Sequence, residues 1–145
     1  MSLSGKSNVN PQIWGPYFWE TIHFTAYGYP ENPTDIDKKT YHDFYENMMK
    51  ILPCDKCTQS AQELFQKLNI DNFLNSKNDL IKWTYLFHKG VNDKLNKDSP
   101  TLEEFMYNFT NRSQKESIFS QNTAIIFAIL FIIIVLIMLH TLNNP

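Results

Sequence analysis

Cys54 and Cys57 are the residues of this 145-residue chain whose type and spacing most directly allow chemistry, and no other cysteine is present. Two thiols separated by two residues can close a small, reducible disulfide. A helix N-terminus adds partial positive charge, which favours a thiolate. Pro53 suits the first turn of a helix, which the pattern predicts from Cys54 to Lys67. By itself the pair is compatible with redox chemistry, with half of a zinc site or with coincidence.

Composition narrows the classes of protein to which the chain can belong. The formal net charge is −2 and aromatic residues make up 14% of the chain. This is enough apolar material for the core of one domain and too little basic charge for a nucleic-acid binder. Two cysteines exclude a framework of several disulfides. The polar N-terminal tail, 1–12, has no apolar signal-peptide core, so we expect no secretory leader.

Apolar residues recur at helical spacing through the central part of the chain, and no strand alternation of any length is present. The fold class predicted is all-α: a four-helix bundle plus a short fifth helix. Caps are predicted at Thr34 or Asp35 for the second helix, at Asn78 or Asp79 for the fourth and at Thr101 for the fifth, which is expected to end near Phe109.

The C-terminal region predicts a transmembrane helix over 122–142. Every residue from Ala124 to Leu139 is apolar, and the flanking residues extend the run to about the 20 that a bilayer requires. Arg112 and Lys115 precede the run and no Lys or Arg follows it. The expectation is therefore a tail-anchored, single-pass protein whose soluble domain, 13–110, faces the cytosol, joined to the anchor by a linker, 111–121.

Several interpretations of the cysteine pair compete at this point. A thioredoxin-like domain requires βαβ units, which the helical pattern does not provide. Zinc would need two further ligands from His23, His42 or His88, which are predicted on three different helices. A tail-anchored helical adaptor, in which the pair is structural or binds metal, is the main alternative. A reductase or isomerase that uses the pair without a flavin is the second.

The order of motifs resembles the Erv/ALR family of FAD-linked sulfhydryl oxidases. Family motifs read W-G-x-x-x-W-x-x-x-H, Y-P, P-C-x-x-C and H-N-x-V-N-x-x-L-x-K. The matching residues here are Trp14, Gly15, Trp19, His23, Tyr29, Pro30, Pro53, Cys54, Cys57, His88, Val91, Asn92, Leu95 and Lys97. The resemblance covers 13–97, most of the predicted soluble domain, and depends on the joint order of short motifs.

The resemblance implies a helical bundle that binds FAD noncovalently and oxidises protein dithiols, with molecular oxygen as the final acceptor and hydrogen peroxide as the product. Cys54 is assigned as the thiol that exchanges with substrate and Cys57 as the thiol next to the flavin. The implied cofactor contacts are Gly15, Trp19 and His23 on the first helix, His88 and Asn92 at the adenine end, and Lys94 and Lys97 at the ribose and phosphates.

The chain also departs from the family pattern. Lys89 follows His88 where the family has Asn, Pro16 stands where many members have Arg, and no cysteine remains for a second, shuttle pair. Short members with a single pair occur in large cytoplasmic DNA viruses. The resemblance therefore implies disulfide formation in virion proteins, at a host or virion membrane, by a homodimer paired through its first two helices.

Overall fold

The computed structural model of the protein describes the backbone of residues 8–143 and the side chains in that range except those of 112–122, 124, 141 and 143. This part of the chain is helical and contains no strand. Its α-helices are α1 (Pro11–Tyr27), α2 (Asp35–Lys50), α3 (Asp55–Lys67), α4 (Lys77–Lys94) and α5 (Leu102–Asn143), with a 3₁₀ helix at Ile70–Phe73. The predicted all-α class is confirmed.

Side-chain oxygens cap the second and fourth helices. The Thr34 hydroxyl accepts a hydrogen bond from the Asp37 amide and the Asp37 carboxylate accepts one from the Thr34 amide, so the predicted cap at Thr34 is confirmed. The predicted cap of α4 at Asn78 or Asp79 is wrong. Ser76 caps this helix, because its hydroxyl accepts from the Asp79 amide while the Asp79 carboxylate accepts from the hydroxyl.

The core is built around the indole of Trp83, which is fully buried on α4. Phe87 stacks beside it with ring centroids 5.1 Å apart, and Tyr45 meets it edge-on at 5.0 Å. The polar atoms of these rings are paired: Trp83 Nε1 donates to the Leu68 carbonyl and the Tyr45 hydroxyl donates to the Ile22 carbonyl. Because these bonds join different helices, the core fixes the relative positions of α1, α2, α3 and α4.

Residues up to Pro100 and residues from Thr101 onward form two compact units. In the second unit, Thr101 and Glu104 form the predicted capping box. The predicted end of the fifth helix near Phe109, with a linker at 111–121, differs from the structure, where α5 continues to Asn143. The sequence between Phe109 and Ala124 contains no Pro or Gly that would end a helix.

In the part of the chain that the structure describes, no helix is both long and apolar enough to cross a membrane. The predicted span, 122–142, includes residues 122, 124 and 141, whose side chains lie outside the described part. The transmembrane helix therefore stays a prediction.

Candidate functional site

A cavity of about 700 Å³ opens where four helix ends of the first unit meet. Its wall comes from the N-terminal half of α1, the end of α2, the first turns of α3 and the end of α4. Side chains that line it include Trp14, Phe18, Trp19, Leu52, Lys56, Cys57, Phe87, His88, Asn92, Lys94 and Lys97. The wall is mainly apolar and aromatic, with a few cationic and amide groups, which is typical of a site for a flat organic ligand.

The cysteine pair lies at one side of this cavity. Cys54 and Cys57 form a disulfide with their Cα atoms 5.2 Å apart. Cys54 is the N-cap residue of α3, and its sulfur accepts a hydrogen bond from the Cys57 amide at 3.2 Å. Cys57 lines the cavity whereas Cys54 does not. The two sulfurs therefore have different surroundings: one faces the cavity and the other belongs to the chain before the helix.

Trp19 and His88 form a stacked pair within the aromatic wall. Their rings are stacked, with centroids 3.8 Å apart and planes inclined by 7°. His23 lies behind them, 5.3 Å from the His88 ring and 6.2 Å from the Trp19 ring by centroid. Helical spacing explains the arrangement, because positions 19 and 23 share a face of α1 that packs against α4.

His23 and His88 are joined by a hydrogen bond between Nε2 of His23 and Nδ1 of His88, 3.1 Å long. Nδ1 of His23 is also 3.0 Å from the hydroxyl of Thr84. Burial, and then the nearby charge of His88, lowers the pKa of His23 to about 3. Burial, and then the Lys97 charge, lowers the pKa of His88 to about 4. Both imidazoles are therefore neutral near pH 7.

Lysines, amides and a hydroxyl provide the polar part of the cavity. Lys94 donates to the hydroxyl of Ser60 at 2.9 Å and lies 3.6 Å from the Glu63 carboxylate. Asn92 donates to the Ser99 hydroxyl at 3.0 Å, which holds the chain after α4 close to the cavity. Lys56 and Lys97 also line the cavity. Cations beside an aromatic cavity suit a ligand that combines flat rings with phosphates.

The segment before α1 is bound to the chain that leads into the disulfide. The Val9 amide donates to the Pro53 carbonyl at 2.9 Å, and the Asp55 amide donates to the Asn8 side chain at 3.1 Å. The Trp14 indole N–H in turn donates to the Val9 carbonyl at 3.0 Å. These contacts lie on both sides of Cys54 in sequence and connect it to a tryptophan of the cavity wall.

The structure brings most of the sequence-predicted site residues to one cavity. Those that line it are Gly15, Trp19, Cys57, His88, Asn92, Lys94 and Lys97. His23 does not line it but is hydrogen-bonded to His88, which does. Lys89, which replaces the family's usual Asn, is paired with Asp93 on the same helix at 2.7 Å. Pro16 does line the cavity.

Sequence reasoning did not identify two residues of the site, Lys56 and Thr84. Lys56 lies between the cysteines, and a lysine in the exposed first turn of a helix carries no signal of its own. Thr84 is fully buried within α4. Its spacing from Trp83 and Phe87 could have placed it beside the core, but nothing in the sequence pairs it with His23.

The zinc alternative required further ligands near the cysteines. In the part of the chain that the structure describes, no group of three or more His, Cys, Asp or Glu side chains is arranged to hold a metal ion.

Comparison with known proteins gives consistent matches. A protein of Acanthamoeba polyphaga mimivirus named "Probable FAD-linked sulfhydryl oxidase R368" is 37% identical over 97 residues, covering 66% of this chain and 68% of its own length. The FAD-linked sulfhydryl oxidase of African swine fever virus (isolate Tick/Malawi/Lil 20-1/1983) is 33% identical over 92 residues, covering 63% of this chain and 76% of its own.

Solved structures agree with the sequence matches. The FAD-binding domain of Erv1 from Saccharomyces cerevisiae superposes with a TM-score of 0.59 at 26% identity, covering 63% of this chain and 85% of that domain. The model of the Erv1 / Alr family matches residues 16–115, which include α2, α3, α4, both cysteines and most of the cavity wall. By this match the chain belongs to the Erv1 / Alr family.

Proposed function

We propose that this protein is an FAD-dependent sulfhydryl oxidase that forms disulfides in protein substrates. The observation that carries the proposal is the placement of the disulfide, with Cys57 in the wall of an aromatic, lysine-bearing cavity and Cys54 outside it. A pair placed in this way has one sulfur available to a cofactor and one available to a second protein. Family membership and the printed names of the viral relatives support the same activity.

The cavity residues fit FAD by their chemistry. Trp19 and His88 offer aromatic surface for ring systems, and Lys56 and Lys97 offer positive charge for a pyrophosphate. The volume of about 700 Å³ falls in the range of sites that enclose sizeable organic ligands. We assign Gly15, Asn92 and Lys94 to the same site, with His23 supporting it from behind His88.

The protein's own residues then carry out thiol–disulfide exchange. A substrate thiolate attacks the sulfur of Cys54, the bond between the two enzyme sulfurs breaks, and Cys57 leaves as a thiolate. The second substrate thiol displaces Cys54, so the substrate gains one disulfide and the enzyme pair gains two electrons. A bound FAD would supply the route by which the two electrons of the pair reach molecular oxygen, with hydrogen peroxide as the product.

Position along α3 suits each cysteine to its step. Cys57 lies in the first turn of α3, where the partial positive charge of the helix end stabilises a thiolate. Lys56 adds a cation to the same cavity. Cys54 precedes the helix in extended backbone, with φ −151° and ψ 121°. The exchanging sulfur therefore belongs to the capping residue and lies outside the helical residues of α3.

The test is to purify the full-length chain and record its absorbance spectrum and its oxygen consumption with a reduced dithiol protein. We expect bound flavin, identified as FAD after release, and one hydrogen peroxide formed per disulfide. A folded protein that neither retains nor takes up FAD would contradict the proposal. Thiol exchange without oxygen consumption would favour a reductase or isomerase instead.

We further propose that segment 122–142 attaches the enzyme to a membrane, with the first unit on the cytosolic side. The support is the apolar run Ala124–Leu139 and the basic residues Arg112 and Lys115 before it. Resistance to extraction by alkaline carbonate is the expected result, together with digestion of the first unit by protease added to sealed vesicles on their cytosolic face. Release into the soluble fraction would contradict this placement.

The viral relatives support virion proteins of a large DNA virus as the substrates, at a host or virion membrane.

We also propose a homodimer through α1 and α2, because Ile13, Tyr17 and Ile36 are apolar and 64%, 74% and 78% exposed. Light scattering of the purified chain should give twice the monomer mass. Charged substitutions at Ile13 and Tyr17 should return the mass to that of the monomer.

A further inference from the structure

Thr84 is a fully buried residue in the middle of α4 whose hydroxyl joins two hydrogen bonds. Its oxygen donates to the carbonyl of Ile81 at 2.8 Å and lies 3.0 Å from Nδ1 of His23. A hydroxyl has one proton, and a carbonyl oxygen can only accept. Because that proton goes to Ile81, the hydroxyl must accept a hydrogen bond from His23.

This direction propagates through both imidazoles. Nδ1 of His23 carries the proton that Thr84 accepts, and a neutral imidazole has only one N–H, so Nε2 of His23 is an acceptor. The atom facing it, 3.1 Å away, is Nδ1 of His88, which must then be the donor. His88 is left with an unprotonated Nε2.

The remaining nitrogen belongs to a residue of the cavity wall. His88 lines the cavity, and no side chain or backbone group in the described range is hydrogen-bonded to its Nε2. Without the threonine hydroxyl the opposite direction is equally consistent: His23 would donate from Nε2, His88 would accept at Nδ1, and Nε2 of His88 would become a donor. The Thr84 hydroxyl therefore determines whether Nε2 of His88, in the cavity wall, is a hydrogen-bond acceptor or a donor.

We propose that Thr84 is a positioning residue that holds His88 in the Nδ1–H tautomer, so that Nε2 of His88 accepts a hydrogen bond from an N–H or O–H group of the bound nucleotide cofactor. This inference rests on the proposed function, because it takes the cavity to be the FAD site. The neutrality of both rings at pH 7 is consistent with it, since burial lowers the pKa values of His23 and His88 to about 3 and about 4.

The experiment compares Thr84→Val, which keeps the shape and removes the hydroxyl, with Thr84→Ser, which keeps the hydroxyl. Nitrogen NMR of the histidine-labelled full-length chain, without FAD, reports which ring nitrogen carries the proton. FAD titration, followed by flavin fluorescence, reports affinity. We expect Nδ1–H for His88 in the unsubstituted protein and in Thr84→Ser. In Thr84→Val we expect a mixture of tautomers and FAD binding weakened by roughly tenfold, about one hydrogen bond.

Thr40→Val on α2 is the matched control, because the Thr40 hydroxyl also donates to a carbonyl within its own helix, that of Ile36 at 2.8 Å, but contacts no histidine. It should leave the tautomers and the FAD affinity unchanged. The thermal unfolding midpoint of each variant distinguishes a loss of folding from a change in the direction of the hydrogen bonds.

An Nε2–H tautomer of His88 in the unsubstituted protein would overturn the proposal even if Thr84→Val did not fold. Unchanged tautomers and FAD affinity in Thr84→Val would overturn it as well. If the unsubstituted protein failed to bind FAD, the proposed function would fall. The hydrogen-bond direction set by Thr84 would still be decided by the NMR measurement alone.

Discussion

Trp19 of α1 and His88 of α4 lie face to face across the cavity wall, with ring centroids 3.8 Å apart and planes inclined by 7°. The contact connects the two helices that carry most of the assigned cofactor residues. Each ring covers one face of the other, so a ligand ring in this cavity can stack only on an outer face of the pair or meet the ring edges.

Trp19→Ala is expected to weaken FAD binding by roughly tenfold or more, because stacking with an indole is worth about 1 kcal/mol beyond the area that it buries. Trp19→Phe should lose only part of this affinity. Tyr107→Ala, which removes an aromatic ring that is 68% exposed on α5, is the control and should bind FAD normally. FAD titration followed by fluorescence makes the comparison. Equal affinity in Trp19→Ala and the unsubstituted chain would contradict the assignment of the cavity.

Cys54→Ser and Cys57→Ser should each abolish oxygen-dependent thiol oxidation. Cys54→Ser should nevertheless fold and bind FAD, because serine is a good N-cap and can replace the sulfur that accepts from the Cys57 amide. The lost disulfide closes a very short loop and contributes only about 2 kcal/mol. Oxygen electrode measurements and circular dichroism test the two statements. Retained turnover in either variant would rule out the exchange mechanism.

The buried histidine pair predicts that stability falls in mild acid. The pKa of His23 is about 3 in the folded protein and about 6.5 when the chain is unfolded. The unfolded state therefore binds more protons below pH 6.5, and stability is lost as pH decreases through that window. Between about pH 6.5 and pH 4, His23 alone accounts for a loss of roughly 3 kcal/mol.

Urea unfolding at several pH values measures this loss. The window above about pH 5 isolates the histidines, because the carboxylates whose pKa values are lowered, those of Asp37, Asp43 and Glu104, protonate below it. His23→Gln, which cannot be protonated, should flatten the profile. A free energy of unfolding that stayed constant from pH 7 to about pH 5 in the unsubstituted protein would contradict the prediction.

Asn8→Ala should loosen the chain around Cys54. The residue accepts a hydrogen bond from the Asp55 amide and has a positive φ of 46°, which alanine tolerates poorly. We expect a loss of about 1 kcal/mol and faster hydrogen exchange at the Asp55 amide. Asn8→Gly relieves the backbone but lacks the acceptor, so it should still show fast exchange. Asn8→Asp, which keeps the oxygen, should not. Slow exchange at Asp55 in Asn8→Gly would show that the side chain is not the stabilising group.

Lys97→Gln should weaken FAD binding more than Lys94→Gln. Lys94 is already engaged by Ser60 and Glu63, whereas the charge of Lys97 is close enough to His88 to lower its pKa. We expect a loss of a few-fold for Lys97→Gln, with a weaker dependence on salt, because one phosphate contact is missing. FAD titrations at low and at high salt test this. A larger effect of Lys94→Gln would reverse the assignment of the two lysines.

The sequence predicted those features for which a short motif or the helical spacing of apolar residues is a sufficient signal. Trp83, Phe87, Val91 and Leu95 recur at helical spacing in the sequence, and the structure places the first two in the core and the last two in the cavity wall. The motifs that contain Cys57 and Trp19 indicated that both residues belong to the site, and both line the cavity. The all-α class followed from the absence of strand alternation.

Other features depend on long-range contacts that a single sequence does not report. The bond between Thr84 and His23 joins residues 61 positions apart, and nothing local to either residue specifies it. Ser76 was missed as the cap of α4 because Asn78 and Asp79 are equally good capping residues, and only the packed helix selects among them. The end of the fifth helix was missed because a polar stretch without Pro or Gly is compatible with both a linker and a helix.

Cys54 stands in extended chain and Cys57 stands in the first turn of a helix that packs against α2 and α4. In the proposed mechanism, electrons enter at Cys54, in the chain before the helix, and leave at Cys57, within the helix. Such an enzyme can broaden the range of proteins that it serves by changes near residues 8–10 and 53–55 alone. None of residues 8–10 and 53–55 lines the cavity, so such changes would replace no side chain of the proposed cofactor site.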